Sequence, residues 1–176
     1  LLGMGYVGRL TAKLFRAVGA KVCCYDPYLP ESIAAELDVT KESLEDLLRE
    51  CKIVSVHLPR TDETHEMLDA AKLALLQDGA IFVNTARTYV VDQAALRAQL
   101  ATGRFWAALD VFEQEPLPAD DPLRTLDNVF LTPHVAGRTV DSHHGLTETM
   151  VDEIERFFSG QSLRYQVDPE ALKYMA

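Results

Sequence analysis

The chain has 176 residues, of which 48% are apolar, and this is enough to form one domain with a buried core. It carries 27 acidic and 17 basic residues, for a formal net charge of −10. Nucleic acids and anionic membranes bind basic surfaces, and no apolar run reaches the roughly eighteen residues that span a bilayer, so we expect neither partner.

The chain begins with two leucines and then three glycines, Gly3, Gly5 and Gly8. Glycines at this spacing let a strand turn tightly into a helix and let the backbone approach a bound pyrophosphate. Alone, the triplet is equally compatible with a tight turn that binds no ligand. Apolar residues recur every three or four positions from Val7 to Val18, which predicts a helix capped by Gly19.

A short β-prone run at residues 21–25 ends at Asp26. An acidic residue about twenty positions after such glycines can accept hydrogen bonds from the adenosine ribose hydroxyls. Asp26 and Pro27 are also common in turns, so this carboxylate alone is compatible with a solvated turn. Glycines, helix, strand and acid in this order predict a dinucleotide-binding unit.

Helical and extended patterns then alternate along the chain. This alternation predicts a doubly wound parallel α/β sheet of the Rossmann type, with helices on both faces. The later strands are predicted at residues 53–56, 80–83, 105–109 and 129–131. The later helices are predicted at residues 43–50 with Ser43 as N-cap, at 71–76, at 92–101 with Asp92 as N-cap, and in a long amphipathic stretch that ends at Gly160.

Polar groups follow each predicted strand, at the edge where open parallel sheets bind ligands. Arg87, Glu115 and His134 are the candidate catalytic residues among them. A guanidinium can bind a carboxylate and polarise a neighbouring carbonyl, a histidine can transfer a proton, and a glutamate can orient the histidine. Each residue alone would more often be an ordinary surface or loop residue, but three of them at equivalent strand ends favour a catalytic site.

Cys23, Cys24 and Cys51 are odd in number and lack the spacing of metal ligands. We expect them to be buried, reduced thiols in a cytoplasmic protein, with no metal site.

Five runs of sequence resemble the D-isomer-specific 2-hydroxyacid dehydrogenases, in the order of that family. The runs are residues 3–8, 57–61, 83–87, 108–116 and 131–137. The resemblance implies an oxidoreductase that interconverts a 2-keto acid and a D-2-hydroxy acid by hydride transfer with NAD. It also implies a homodimer built through this domain.

The resemblance implies a role for each matching residue. Arg87 would bind the substrate, His134 would be the acid and base, and Glu115 would pair with His134. The residues implied at the NAD site are Gly3, Gly5, Tyr6, Val7, Gly8, Asp26, His57, Leu58, Pro59, Thr64, Thr85, Ala86, Asp110, His134, Ala136 and Gly137. Of these, Tyr6 and Val7 would lie at the pyrophosphate, and Asp110 would lie near the nicotinamide.

Three positions depart from the family pattern. Tyr6 stands where an arginine is common, Arg60 replaces a usual leucine, and Thr88 replaces a usual glycine. We expect NAD rather than NADP, because Asp26 would repel a 2′-phosphate and residues 27–29 contain no arginine. Arg60 is the exception to this argument, since its loop could reach the same region.

Family members insert this domain between two stretches of a substrate domain. We therefore expect residues 1–176 to be a dinucleotide-binding domain, with roughly 150–176 returning toward a substrate domain absent from this chain. Such a fragment should bind the cofactor weakly and be inactive alone. Two alternatives stay open, namely an NAD(H)-sensing interaction protein of the corepressor type and a family member that oxidises phosphite.

Overall fold

Parallel strands connected by helices form the framework of the computed structural model, which describes residues 1–170. The strands are β1 (Cys23–Cys24), β2 (Thr40–Lys41), β3 (Ile53–Val56), β4 (Ile81–Asn84), β5 (Trp106–Leu109) and β6 (Val129–Leu131). The α-helices are α1 (Tyr6–Ala17), α2 (Glu31–Leu37), α3 (Leu44–Glu50), α4 (Ala70–Leu73), α5 (Gln93–Ala101) and α6 (Val140–Phe158). Short 3-10 helices cover Asp62–Thr64, Thr88–Val90 and Pro122–Thr125.

Leu2 joins two groups of parallel strands into one sheet. It bridges Tyr25 next to β1 on one side and Val56 in β3 on the other. The strand order is therefore β2, β1, Leu2, β3, β4, β5, β6, and all observed pairings are parallel. The order reverses at Leu2, which is the topological switch point where doubly wound sheets bind ligands. The predicted Rossmann-type fold is confirmed.

Local capping signals in the sequence predicted helix starts well. The side chain of Ser43 accepts a hydrogen bond from the backbone N–H of Asp46, and that of Asp92 from the N–H of Ala95. Residues 31–41 contain a helix, α2, and a strand, β2, that were not predicted from the sequence. The strand was missed because it is a two-residue edge strand, whose pattern is too short to recognise. The predicted strand at residues 21–25 shortens to β1 for the same reason, since β2 is its partner.

The apolar stripe of α1 points away from the sheet. Val7, Leu10, Leu14 and Val18 are 63%, 62%, 71% and 80% exposed, whereas the buried residues of the helix are Gly8 and Ala12. A Cβ atom at Gly8 would lie 2.2 Å from the carbonyl oxygen of Gly3. Only small residues therefore fit on the inner face of α1, and its large apolar side chains face outward.

The three cysteines are free thiols, but only Cys24 is buried. The prediction that all three are buried was wrong for Cys23 and Cys51, which are half-buried at the opposite end of the strands from the glycine turn. Within residues 1–170 there is no cluster of metal-ligating side chains and no helix long and apolar enough to cross a membrane.

The segment predicted at roughly 150–176 begins inside α6, which starts ten residues earlier, at Val140. After the helix, the chain folds back, and the buried carboxylate of Glu153 accepts hydrogen bonds from the backbone N–H groups of Arg164 and Tyr165 at 3.0 and 3.1 Å. Residues 171–176 of that predicted segment lie outside the described residues.

Candidate active site

The glycine turn connects Leu2 to α1. Gly3 has φ +92°, and a Cβ atom there would lie 2.7 Å from the carbonyl oxygen of His57, so a side chain does not fit. A Cβ atom at Gly5 would meet no atom within 4 Å, which leaves open space over the turn. Gly5 is also the N-cap of α1, and no side chain caps the helix. The first N–H groups of α1 are thus left for a ligand.

A cavity of about 540 Å³ runs along the switch point, within the usual size range of small-molecule sites. The predicted site residues that line it are Gly3, Gly5, Tyr6, Val7, Asp26, His57, Leu58, Pro59, Thr64, Thr85, Ala86 and Arg87. Gly8 lies beneath the turn, against Gly3. The predicted residues outside this cavity follow β5 and β6 and are Asp110, Glu115, His134, Ala136 and Gly137.

The carboxylate of Asp26 is held by two backbone N–H groups. Its Oδ2 accepts from Met4 at 2.7 Å, and its Oδ1 accepts from Tyr28 at 2.8 Å. Each oxygen retains lone-pair capacity for a ligand hydroxyl. The phenol of Tyr28 donates to Oε2 of Glu63 at 2.6 Å, which places a second carboxylate on the cavity wall. The roles of Tyr28 and Glu63 could not be predicted from the sequence, because their pairing spans 35 residues.

The structure places one arginine, Arg9, in the cavity lining and leaves another, Arg60, out of it. The guanidinium of Arg60 lies 4.7 Å from the centre of the Tyr89 ring, and Arg60 is not among the residues that line the cavity. Arg9, which the sequence analysis did not select, does line the cavity.

His57 forms part of the cavity wall as a neutral residue. Its Nε2 lies 3.0 Å from the hydroxyl of Ser55, and burial lowers its pKa to about 4. An imidazole with this pKa carries no charge at neutral pH, so His57 offers no cation to a bound anion.

Glu115 and His134 form a hydrogen-bonded pair. Oε2 of Glu115 lies 2.7 Å from Nδ1 of His134, and Oε1 accepts from the backbone N–H of Phe112 at 3.0 Å. The bond to His134 is the largest cause that lowers the pKa of the Glu115 carboxyl, so this group is ionised at neutral pH. Within residues 1–170, Nε2 of His134 has no hydrogen-bond partner and remains available to a substrate.

Asp110 anchors the loop that carries His134. Its buried carboxylate accepts from the hydroxyl of Thr132 at 2.5 Å and from the N–H groups of Val135 and Ala136 at 2.8 and 3.0 Å. Burial opposes ionisation of Asp110, but these hydrogen bonds outweigh it and keep the pKa below its ordinary value. His134 has φ +54°, a conformation that side chains rarely adopt, and bonds to the two residues after it help to maintain that conformation.

Arg87 is presented by the loop that follows β4. The buried side chain of Asn84 organises this loop, because its Nδ2 donates to the carbonyl of Arg87 and its Oδ1 accepts from the N–H of Ala86, both at 3.0 Å. The guanidinium of Arg87 donates to the carbonyl of Ala86 at 2.7 Å and has no carboxylate partner within residues 1–170. It is therefore available to an anionic ligand at the same sheet edge as His134.

A family model described as the NAD binding domain of D-isomer specific 2-hydroxyacid dehydrogenases matches residues 1–136. The chain is 39% identical over 176 residues to a glyoxylate reductase of Korarchaeum cryptofilum, an alignment that covers 98% of this chain and 52% of that protein. It is 38% identical over 162 residues to a D-3-phosphoglycerate dehydrogenase of Mycobacterium tuberculosis, covering 92% of this chain and 30% of that protein. The chain thus spans about half the length, or less, of these curated relatives.

Solved structures resemble the chain over nearly all of its length. A D-lactate dehydrogenase of Treponema pallidum superimposes with a TM-score of 0.82 at 32% identity and covers 95% of this chain, which in turn covers 54% of that chain. A D-isomer specific 2-hydroxyacid dehydrogenase of Xanthobacter autotrophicus Py2, crystallised with NADPH and MES, gives a TM-score of 0.79 at 38% identity, covering 96% of this chain and 69% of that chain.

Proposed function

Because the chain belongs to the D-isomer-specific 2-hydroxyacid dehydrogenase family, we propose that it binds NAD and serves the interconversion of a 2-keto acid and a D-2-hydroxy acid by hydride transfer. The observation that carries this proposal is the 2.7 Å bond between Glu115 and His134, at the edge of the sheet where Arg87 and the glycine turn also lie. The chain spans only 52% of the glyoxylate reductase of Korarchaeum cryptofilum, so the reaction and the substrate of the whole protein are part of this proposal.

The residues of the crevice fit an NAD molecule. The uncapped start of α1 and the open space at Gly5 suit a diphosphate, and Asp26 retains acceptors for the ribose hydroxyls. The neutral side chain of His57 and the backbone near it form a wall beside the turn. When bound, this cofactor would supply or accept the hydride.

The catalytic residues would handle the substrate and its proton. Arg87 would bind the substrate carboxylate with its forked donors and polarise the adjacent carbonyl. In reduction, Nε2 of His134 would donate a proton to the substrate oxygen, and in oxidation it would accept that proton. Glu115 would hold the ring by Nδ1 and stabilise its charged form.

Steady-state assays of the native full-length protein across a panel of 2-keto acids and phosphite test this function. We expect NADH-dependent reduction of at least one 2-keto acid. NADH binding without any turnover would instead support an NAD(H)-sensing interaction protein, and NAD-dependent turnover of phosphite alone would support the phosphite alternative. We also expect the isolated residues 1–176 to bind NADH weakly and to lack activity. They would lack the substrate domain that positions the substrate, and this positioning contributes much of the rate.

NAD should be preferred over NADP, because two carboxylates, Asp26 and Glu63, line the cavity and would repel a 2′-phosphate. Arg60 lies against the Tyr89 ring and is not among the residues that line the cavity. Fluorescence titration should give a higher affinity for NADH than for NADPH, and Asp26→Ala should reduce that preference about tenfold. Glu36→Ala, which removes an exposed carboxylate from α2, is the matched control. Equal affinities of the wild type for NADH and NADPH would contradict the prediction.

Replacing Glu115 with glutamine should lower kcat/KM for oxidation while NADH still binds with nearly wild-type affinity. The hydrogen bond to His134 lowers the pKa of the Glu115 carboxyl, so this carboxylate is an anion across the neutral range and holds Nδ1 of the ring. A neutral amide in its place would hold the ring less firmly against the substrate. Steady-state kinetics of oxidation together with NADH titration measure this effect, and an unchanged kcat/KM would show that the pair does not contribute to the rate.

We also propose that the protein is a cytoplasmic homodimer. The exposed apolar stripe of α1, formed by Val7, Leu10, Leu14 and Val18, supports an interface, because contiguous apolar surface commonly marks protein contacts. The free thiols of the chain support a reducing compartment. Light scattering of the native protein measures its assembly, and a strict monomer would contradict the proposal.

A further inference from the structure

Arg9 lies on α1, one helical turn after the N-cap residue Gly5. Helical side chains lean toward the N-terminus of their helix, and Nε of Arg9 donates to the carbonyl oxygen of Met4 at 2.8 Å. Met4 lies between Gly3 and Gly5, so this bond holds the guanidinium at the turn itself. Arg9 also lines the cavity beside Gly5, Tyr6 and Val7.

The guanidinium of Arg9 has unused donors. Arginine carries five N–H groups, and only the one on Nε has an acceptor within residues 1–170. No carboxylate of the described residues lies within ion-pair distance of Arg9, although the other arginine of α1, Arg16, is paired with Asp38. Arg9 is therefore a half-buried cation with four N–H groups left for a ligand.

Arg9 supplies the positive charge beside the glycine turn. Gly5, Tyr6 and Val7 carry no charge, and the first turn of α1 contains no acidic residue. His57 is neutral because burial lowers its pKa to about 4. The other cavity arginine, Arg87, follows β4, which β3 separates from Leu2. Of the cations on α1, Arg9 is the one that lines the cavity beside the glycine turn.

The backbone of Met4 sets the relative positions of Arg9 and Asp26. Its N–H donates to Asp26, and its carbonyl accepts from Arg9. An acceptor suited to ribose hydroxyls and a donor suited to phosphate oxygens therefore flank the same residue. Adenosine ribose and diphosphate follow one another in a dinucleotide, and these two side chains match that sequence of groups.

We propose that Arg9 binds the diphosphate of the dinucleotide through its Nη groups while its Nε stays bonded to Met4. This inference rests on the proposed NAD binding and adds the residue that supplies the positive charge. Together with the N-terminus of α1, Arg9 would offset the two charges of the diphosphate in a chain whose net charge is −10.

The test compares ligands that do and do not contain the diphosphate, using native protein in which Arg9 is replaced by methionine. We expect Arg9→Met to lower the affinity for NADH and ADP-ribose about tenfold, because a charge-assisted hydrogen bond to phosphate is lost. The affinity for adenosine, which has no phosphate, should stay unchanged. The dependence of NADH affinity on salt should also become weaker. Arg9→Lys, which keeps the charge but not the fork, should give an intermediate loss.

Lys13→Met is the matched control, since it removes one positive charge from an exposed position of the same helix. Its NADH affinity should stay within about twofold of the wild type. Three results for Arg9→Met would each overturn the assignment. These are unchanged affinity for NADH and ADP-ribose, a loss of affinity confined to NADPH, and an equal loss of affinity for adenosine. A wild-type protein that binds no NADH would instead overturn the proposed function itself, so the two failures are distinguishable.

Discussion

His134→Gln should lower the rate of hydride transfer about a hundredfold to ten-thousandfold while NADH still binds with nearly wild-type affinity. The glutamine amide cannot take up and release the proton that the substrate oxygen must gain or lose. Nε2 of His134 has no hydrogen-bond partner within residues 1–170, whereas Nδ1 is bonded to Glu115. The nitrogen available to the substrate is thus the one whose proton transfer the substitution removes.

Stopped-flow measurement of hydride transfer, together with NADH titration, checks this prediction in the native protein. The cavity beside the glycine turn does not include His134, which is why the affinity for NADH should persist. His144→Gln on the exposed part of α6 is the control for loss of a histidine. Wild-type hydride transfer in His134→Gln, or complete loss of NADH binding, would remove His134 from the proposed role.

Arg87→Met should lower kcat/KM for a 2-keto acid about a thousandfold, which corresponds to about 4 kcal/mol. The forked guanidinium would bind the substrate carboxylate in two places and polarise the carbonyl, so its loss affects both binding and the chemical step. The structure leaves these donors available, because the Arg87 side chain bonds only to the carbonyl of Ala86 within residues 1–170. Arg87→Lys should recover part of the loss, since it keeps the charge without the fork.

Steady-state kinetics of both Arg87 variants measure this effect, and NADH titration shows whether the cofactor site survives. Arg49→Met, at the exposed end of α3, is the control for loss of one positive charge. We expect KM to rise and kcat to fall in Arg87→Met. A variant with unchanged kcat/KM would show that another group binds the substrate carboxylate.

Most of the helices and strands follow from the sequence alone, although the helix and strand within residues 31–41 do not. Ser43 and Asp92 cap helices as predicted, and β6 has the predicted bounds. Caps, glycine turns and hydrophobic periodicity act over a few residues, so they are readable before the chain folds. The placement of Glu115 and His134 near one another could also be anticipated, because parallel strands end at one edge.

The direction and the electrostatic surroundings of side chains were decided by the tertiary structure. The apolar stripe of α1 predicted a helix, but only the tertiary structure, in which Gly8 packs closely against Gly3 and the stripe is exposed, shows that the stripe points outward. Arg60 was a candidate for the 2′-phosphate region until its guanidinium was found against Tyr89, 29 residues away along the chain.

The same distinction applies to the site. The resemblance placed Asp110 near the nicotinamide, whereas the structure adds its three bonds to the His134 loop, which join residues more than twenty positions apart. The bonds of Arg9 and Asp26 to Met4 depend likewise on the meeting of α1, the turn and the end of β1. Local spacing specifies which elements form, but burial, pairing and ionisation depend on neighbours that only folding brings within a few ångströms.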